Sequence, residues 1–115
     1  MKELIRQLVE AYGPSGHEEG VRALIEGLIR PYVDEMRVDA LGNLIALKKG
    51  SGEGKRVMLA AHMDEIGLVV THIDKQGFLR FAPAGGLMVR WKVGQRVRFG
   101  NGVEGVVGWE KWLDD

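Results

Sequence analysis

The chain has 115 residues, with 16 basic side chains against 16 acidic ones, and this zero net charge argues against a dedicated binder of nucleic acid or of an anionic membrane. Its 45% hydrophobic and 28% charged content is that of an ordinary globular domain with a modest core. Cysteine is absent, so disulfides, thiolate zinc sites and cysteine nucleophiles are ruled out.

Leu4, Ile5, Leu8 and Val9 recur at helical spacing, which predicts a first helix from Lys2 to Ala11. Gly13-Pro14-Ser15-Gly16 breaks it, and Ser15 followed by Glu18 reads as a capping box for a second helix. Val21, Leu24, Ile25, Leu28 and Ile29 give that helix one apolar face, and Pro31 ends it. Met36 to Val38 and Leu44 to Leu47 are short strand candidates around the turn-forming Asp39-Ala40-Leu41-Gly42-Asn43. A polar, glycine-rich loop from Lys48 to Lys55 precedes a further strand, Arg56 to Ala61. Beyond Glu65 the pattern is nearly all β. Leu68 to Ile73 and Phe78 to Phe81 flank the hairpin turn Asp74-Lys75-Gln76-Gly77, and Pro83-Ala84-Gly85-Gly86 breaks the chain again. Gln95 to Phe99 and Val103 to Val107 pair around Gly100-Asn101-Gly102. The expected fold class is α/β: two helices and the start of a mixed sheet in residues 1–65, then a small β-rich part in residues 66–115.

The start Met1-Lys2-Glu3 enters an amphipathic pattern and no run reaches transmembrane length, so the expected setting is cytoplasmic, without membrane. A neutral surface favours self-association, and Trp91, Trp109 and Trp112 read as core residues or interface anchors, partly buried against something outside this sequence. Residues 109–115 supply no finishing element, which leads us to expect a chain that stops inside a larger fold.

The chemistry concentrates where the strand at Val57-Met58-Leu59-Ala60-Ala61 ends in His62-Met63-Asp64-Glu65. Residues i and i+2 of a strand share a face, so His62 and Asp64 stand side by side. A metal-binding imidazole oriented by a carboxylate has that geometry, and so does a polar strand end carrying a satisfied histidine. A catalytic zinc needs about three protein ligands, and a two-metal centre more. His17 lies before a helix and His72 within a strand, and spacing ties neither to His62. Asp64 and Glu65 point to opposite faces, which makes them a poor glycosidase pair. Gly50-Ser51-Gly52-Glu53-Gly54-Lys55 lacks phosphate-loop spacing and precedes a strand, and Lys48, Lys49, Lys55 and Arg56 read as a solvated basic loop.

Three segments in order carry a family resemblance: Tyr12-Gly13-Pro14-Ser15-Gly16-His17-Glu18-Glu19, Val38-Asp39-Ala40-Leu41-Gly42-Asn43-Leu44-Ile45-Ala46 and Met58-Leu59-Ala60-Ala61-His62-Met63-Asp64-Glu65-Ile66-Gly67. Thr71-His72-Ile73-Asp74, Gly77-Phe78-Leu79-Arg80-Phe81 and Gly94-Gln95-Arg96-Val97 continue the series. Together they resemble the M42 family of metallo-aminopeptidases, whose members have also been labelled glutamyl aminopeptidase, deblocking aminopeptidase and endoglucanase M. The resemblance implies that His62 is a ligand of a centre of two divalent metal ions, zinc or cobalt, and that Asp64 is a catalytic acid. It implies a peptide substrate cut at its N-terminus, a homo-oligomeric assembly, and a β-rich dimerisation domain inserted after the histidine segment. Residues 1–65 then form the N-terminal part of the catalytic domain and residues 66–115 the start of the inserted one. The remaining ligands of the family have no counterpart in this chain, so the chain alone is expected to be inactive. A non-catalytic association module and an endoglucanase-type glycosidase are the alternative expectations.

Overall fold

The computed structural model describes residues 1–88 and 92–109, which form two compact units, Met1–Glu65 and Ile66–Asp115. The architecture is a small α/β arrangement with two helices and short antiparallel sheets. Among the described residues the expected mixed sheet does not form: their strands make three separate two-stranded sheets, each a local hairpin.

In the first unit, α1 spans Lys2–Glu10, and Ala11 leaves the helix with extended backbone. Its apolar stripe is half-buried at Leu8 and exposed at Leu4, Ile5 and Val9. Helix α2 spans Glu19–Ile29 and ends where Pro31 falls in a single 3-10 turn, Arg30–Tyr32. The capping box does not form. Gly16 takes a φ of 85°, a left-handed conformation that no helix residue adopts, so α2 starts at Glu19. The Glu18 carboxylate instead accepts from the Gly16 N–H at 2.6 Å.

Strands β1 (Glu35–Val38) and β2 (Leu44–Leu47) pair with Val38 opposite Leu44. The Asp39 carboxylate closes their loop by accepting from the Leu41 and Asn43 N–H groups and from the Asn43 side-chain amide. These bonds, the Asn43 side chain first, hold the Asp39 carboxyl below its ordinary pKa. Gly42 turns the chain with a φ of 86°, and its carbonyl accepts from Arg22 of α2 at 3.1 Å. At the open end of the hairpin, Lys48 and Lys49 pair with Asp34 and Glu35, so this part of the basic loop is exposed and ion-paired.

The strand expected at Arg56–Ala61 is not formed. Val57, Met58 and Leu59 are 82%, 87% and 92% exposed, and no described strand pairs with them. The residue types suit a strand buried on both faces, but such a strand exists only through neighbours that complete its ladder.

In the second unit, β3 (Gly67–Ile73) pairs with β4 (Leu79–Ala84), with a shift in register between Val70 and His72. Asp74 closes the turn by accepting from the Gln76 and Phe78 N–H groups, and Gly77 has a φ of 88°. Pro83 was read as a strand breaker; it lies inside β4 opposite Leu68. An edge strand tolerates it, because one side of the strand needs no donors. Strands β5 (Arg96–Arg98) and β6 (Glu104–Val106) form the third hairpin, and Asn101 accepts from the Val103 N–H in its turn. Val107, next to β6, is buried. Trp109 is exposed in this chain, as a side chain whose expected partner lies outside the sequence would be, while Trp91 and Trp112 lie outside the described residues.

Candidate functional site

The His62–Glu65 segment follows the unpaired apolar run, outside any ladder, and is anchored at its far end by a single parallel bridge between Glu65 and Pro14. The Glu65 N–H donates to the Gly13 carbonyl at 2.9 Å, and the Ser15 N–H donates to the Glu65 carbonyl at 3.3 Å. The Glu65 carboxylate also accepts from the Gly13 N–H at 3.4 Å. Gly13 is buried, and a Cβ there would lie 2.4 Å from Val21 Cγ1, so only glycine lets this loop lie on α2.

His62 and Asp64 are brought together. His62 Nδ1 lies 3.0 Å from Asp64 Oδ1 and 3.1 Å from the Asp64 main-chain oxygen. A carbonyl oxygen can only accept, so Nδ1 carries the proton. In the neutral imidazole Nε2 then holds the lone pair. The His62 side chain is 85% exposed, and Nε2 has no hydrogen-bond partner among the described residues. A metal-ligating histidine takes this form, with one nitrogen held by acceptors and the other free.

The donor set fits one ligand and its orienting acid and no more. Among the described residues no cluster of three or more His, Asp or Glu side chains could hold a metal ion. His17 is exposed, with its main-chain N–H on the Pro14 carbonyl, and His72 sits exposed on β3 of the other unit. Beside the segment, a cleft of about 290 Å³ is walled by Leu8, Val21 and Ile25 and reaches His62 and Asp64. Its apolar walls come from the two helices together with Ala11 and Met63, and its polar side chains come only from the 62–65 segment.

In the sequence Glu65 reads only as the poor partner of Asp64 in a glycosidase pair. Its partner loop lies 52 residues earlier, and nothing local to Glu65 announces that pairing. The one available signal was Gly13, next to a proline and a second glycine, where a tight approach is to be expected.

Comparison with known proteins places the chain in a family. The profile of M42 glutamyl aminopeptidase matches residues 42–112. A relative from Acetivibrio thermocellus is 51% identical over 115 residues, all of this chain and 34% of its own length. The lysyl aminopeptidase of Pyrococcus furiosus is 46% identical over 98 residues, 84% of this chain and 28% of its own length. Among solved structures, an endoglucanase from Thermotoga maritima superposes with a TM-score of 0.86 at 42% identity, covering 92% of this chain and 34% of that one. The Pyrococcus horikoshii TET1 peptidase, which assembles into a tetrahedron or a large octahedral shell, superposes with a TM-score of 0.78 at 36% identity, covering 99% and 36%. The chain belongs to the M42 glutamyl aminopeptidase family. It spans about a third of the length of the curated relatives it matches.

Proposed function

We propose that this chain is a segment of an aminopeptidase that removes N-terminal residues from peptides at a two-metal centre, with His62 as a ligand and Asp64 as the acid that orients it. One observation carries the reading: the Nδ1 contact with Asp64, which leaves Nε2 free on an exposed imidazole. Divalent metal ions, zinc or cobalt by family resemblance, would supply Lewis acidity and an activated water when bound. Asp64 fixes the imidazole ring and the site of its proton, and the remaining ligands are to be sought outside the described residues. Unit Met1–Glu65 is read as part of the catalytic domain and unit Ile66–Asp115 as part of an association domain. The assemblies formed by the TET1 relative support a homo-oligomer.

The test replaces the matched third of the Acetivibrio relative with these 115 residues and measures aminoacyl-nitroanilide hydrolysis together with metal content. The hybrid is expected to turn over. His62→Ala should lower its metal content, and Asp64→Ala should lower metal affinity or activity about 10–100-fold. Unchanged metal content in His62→Ala would remove His62 from the ligand set. The 115-residue chain alone is expected to show no turnover.

A second reading, a non-catalytic association module, draws on the β3–β4 hairpin, where Val69, Val70, Ile73 and Phe78 are exposed. A monodisperse monomer in light scattering at high concentration would count against it. Glycosidase chemistry finds no support here, because the Asp64 carboxylate is engaged with His62 and the Glu65 carboxylate with the Gly13 N–H. Cleavage of soluble β-glucan by the hybrid would reverse that judgement.

A further inference from the structure

The acid next to Asp64 has no role in the chemistry proposed above, yet it makes the most extensive long-range contact of the segment. Its main chain exchanges hydrogen bonds with Gly13 and Ser15, and its carboxylate accepts from the Gly13 N–H. Gly13 is buried against Val21, so its amide needs an acceptor, and Glu65 is the one it has.

The Asp64–Glu65 peptide transmits this contact. The peptide is planar and trans, so its C=O and N–H point in opposite directions. The Glu65 N–H points to the Gly13 carbonyl at 2.9 Å. The Asp64 carbonyl therefore faces the other way, where it meets His62 Nδ1 at 3.1 Å. Gly13 and His62 sit at the two ends of one rigid plane, and that plane is fixed by Glu65.

We propose that Glu65 is a positioning residue: its clamp on Gly13 and Ser15 turns the Asp64–Glu65 peptide so that the Asp64 carbonyl keeps the proton on His62 Nδ1 and leaves Nε2 as the donor atom. The inference rests on the reading of His62 as a ligand for its purpose, though not for its test. The Asp64 carboxylate also holds Nδ1 and would mask the effect of the carbonyl, so the two must be separated. Gly13 enters as the seat of the clamp: a side chain there would move the loop off Val21 and take the Glu65 partner with it.

The experiment reads the histidine tautomers of the 115-residue chain by long-range proton–nitrogen spectra, at a pH well above the ordinary imidazole pKa of about 6.5. His17 and His72 serve as internal references. In the parent chain His62 should carry its proton on Nδ1. In Asp64→Ala it should still do so, held by the main-chain carbonyl alone. Adding Glu65→Pro deletes the N–H that seats on Gly13, and the tautomer ratio of His62 should relax about five-fold towards that of the references, roughly what one hydrogen bond is worth. A ratio that stays put in the double variant overturns the proposal. Should that variant not fold, Asp64→Ala is warmed instead. The Nδ1–H bias and the exchange protection of the Glu65 amide should disappear together, and a bias that outlives the protection overturns the proposal equally. Neither readout involves metal or turnover. Metal retained by His62→Ala in the hybrid would therefore defeat the ligand reading while the positioning result stands.

Discussion

The β1–β2 hairpin and the Arg56–Ala61 run were both read as strands, and only the hairpin is one. The hairpin carries its own partner across a five-residue loop and closes that loop with one carboxylate that accepts three hydrogen bonds. The run has better strand residues but no strand neighbour among the described residues, and its three most apolar side chains stand in solvent. Strand propensity describes how a side chain fits a pleated, half-buried surface, so it has no effect where no such surface is present. The difference lies in sequence distance. The hairpin is specified within 13 residues, Glu35 to Leu47, whereas the segment after the run is anchored by Gly13, 52 residues before Glu65.

Four changes sharpen this contrast. The largest effect is expected at the long-range anchor. Gly13→Ala places a Cβ against Val21 and should destabilise the first unit by about 1–3 kcal/mol, the usual cost of overpacking, read as a lowered denaturation midpoint. Amide protection at Glu65 should fall more than in β1–β2; an equal fall would mean that the hairpin is not self-sufficient. Next comes a local turn. Gly77→Ala meets no atom within 4 Å, so its whole cost is the left-handed backbone, about 1–2 kcal/mol, visible as fraying of β3–β4.

Acid should act on the β1–β2 loop more gently. The Asp39 carboxyl is held below its ordinary value chiefly by the Asn43 side chain. A depressed folded pKa means stability that is fully present above the unfolded value of about 3.9 and is lost as pH falls through the folded one. The Leu41 and Asn43 amide signals should therefore hold steady down to about pH 4 and move below it. Loss of the loop signals well above that range would break the assignment. The smallest effect belongs to Leu59→Ser. At 92% exposure the change should stay within about 0.5 kcal/mol in this chain, by thermal or chemical denaturation. A cost several times larger would show that the run has a partner after all.

Much of the fold was legible because it is local. The apolar spacing of Leu4, Ile5, Leu8 and Val9 marks α1 to within one residue, and Asp-x-x-Gly at 39–42 and 74–77 marks two of the three turns. Local reading failed where two local signals competed. Ser15 and Glu18 fit a capping box, but Gly16 between them adopts a backbone that excludes it. It failed again at Pro83, since sequence does not tell an edge strand from a central one. The candidate site divides the same way. His62 and Asp64 meet because they lie two positions apart, while Glu65 meets Gly13 across 52.

By itself the sequence determined the helices, the three hairpins, the pairing of His62 with Asp64 and, through its ordered motifs, the family. Each of these rests on spacing within a few residues or on the identity of whole segments. Only the tertiary structure decided that, among the described residues, Arg56–Ala61 stays unpaired and the strands remain in three separate sheets, and that Glu65 grips the Gly13 loop. These outcomes depend on which backbone donors and acceptors find one another across long stretches of chain, and no local pattern of side chains encodes that choice.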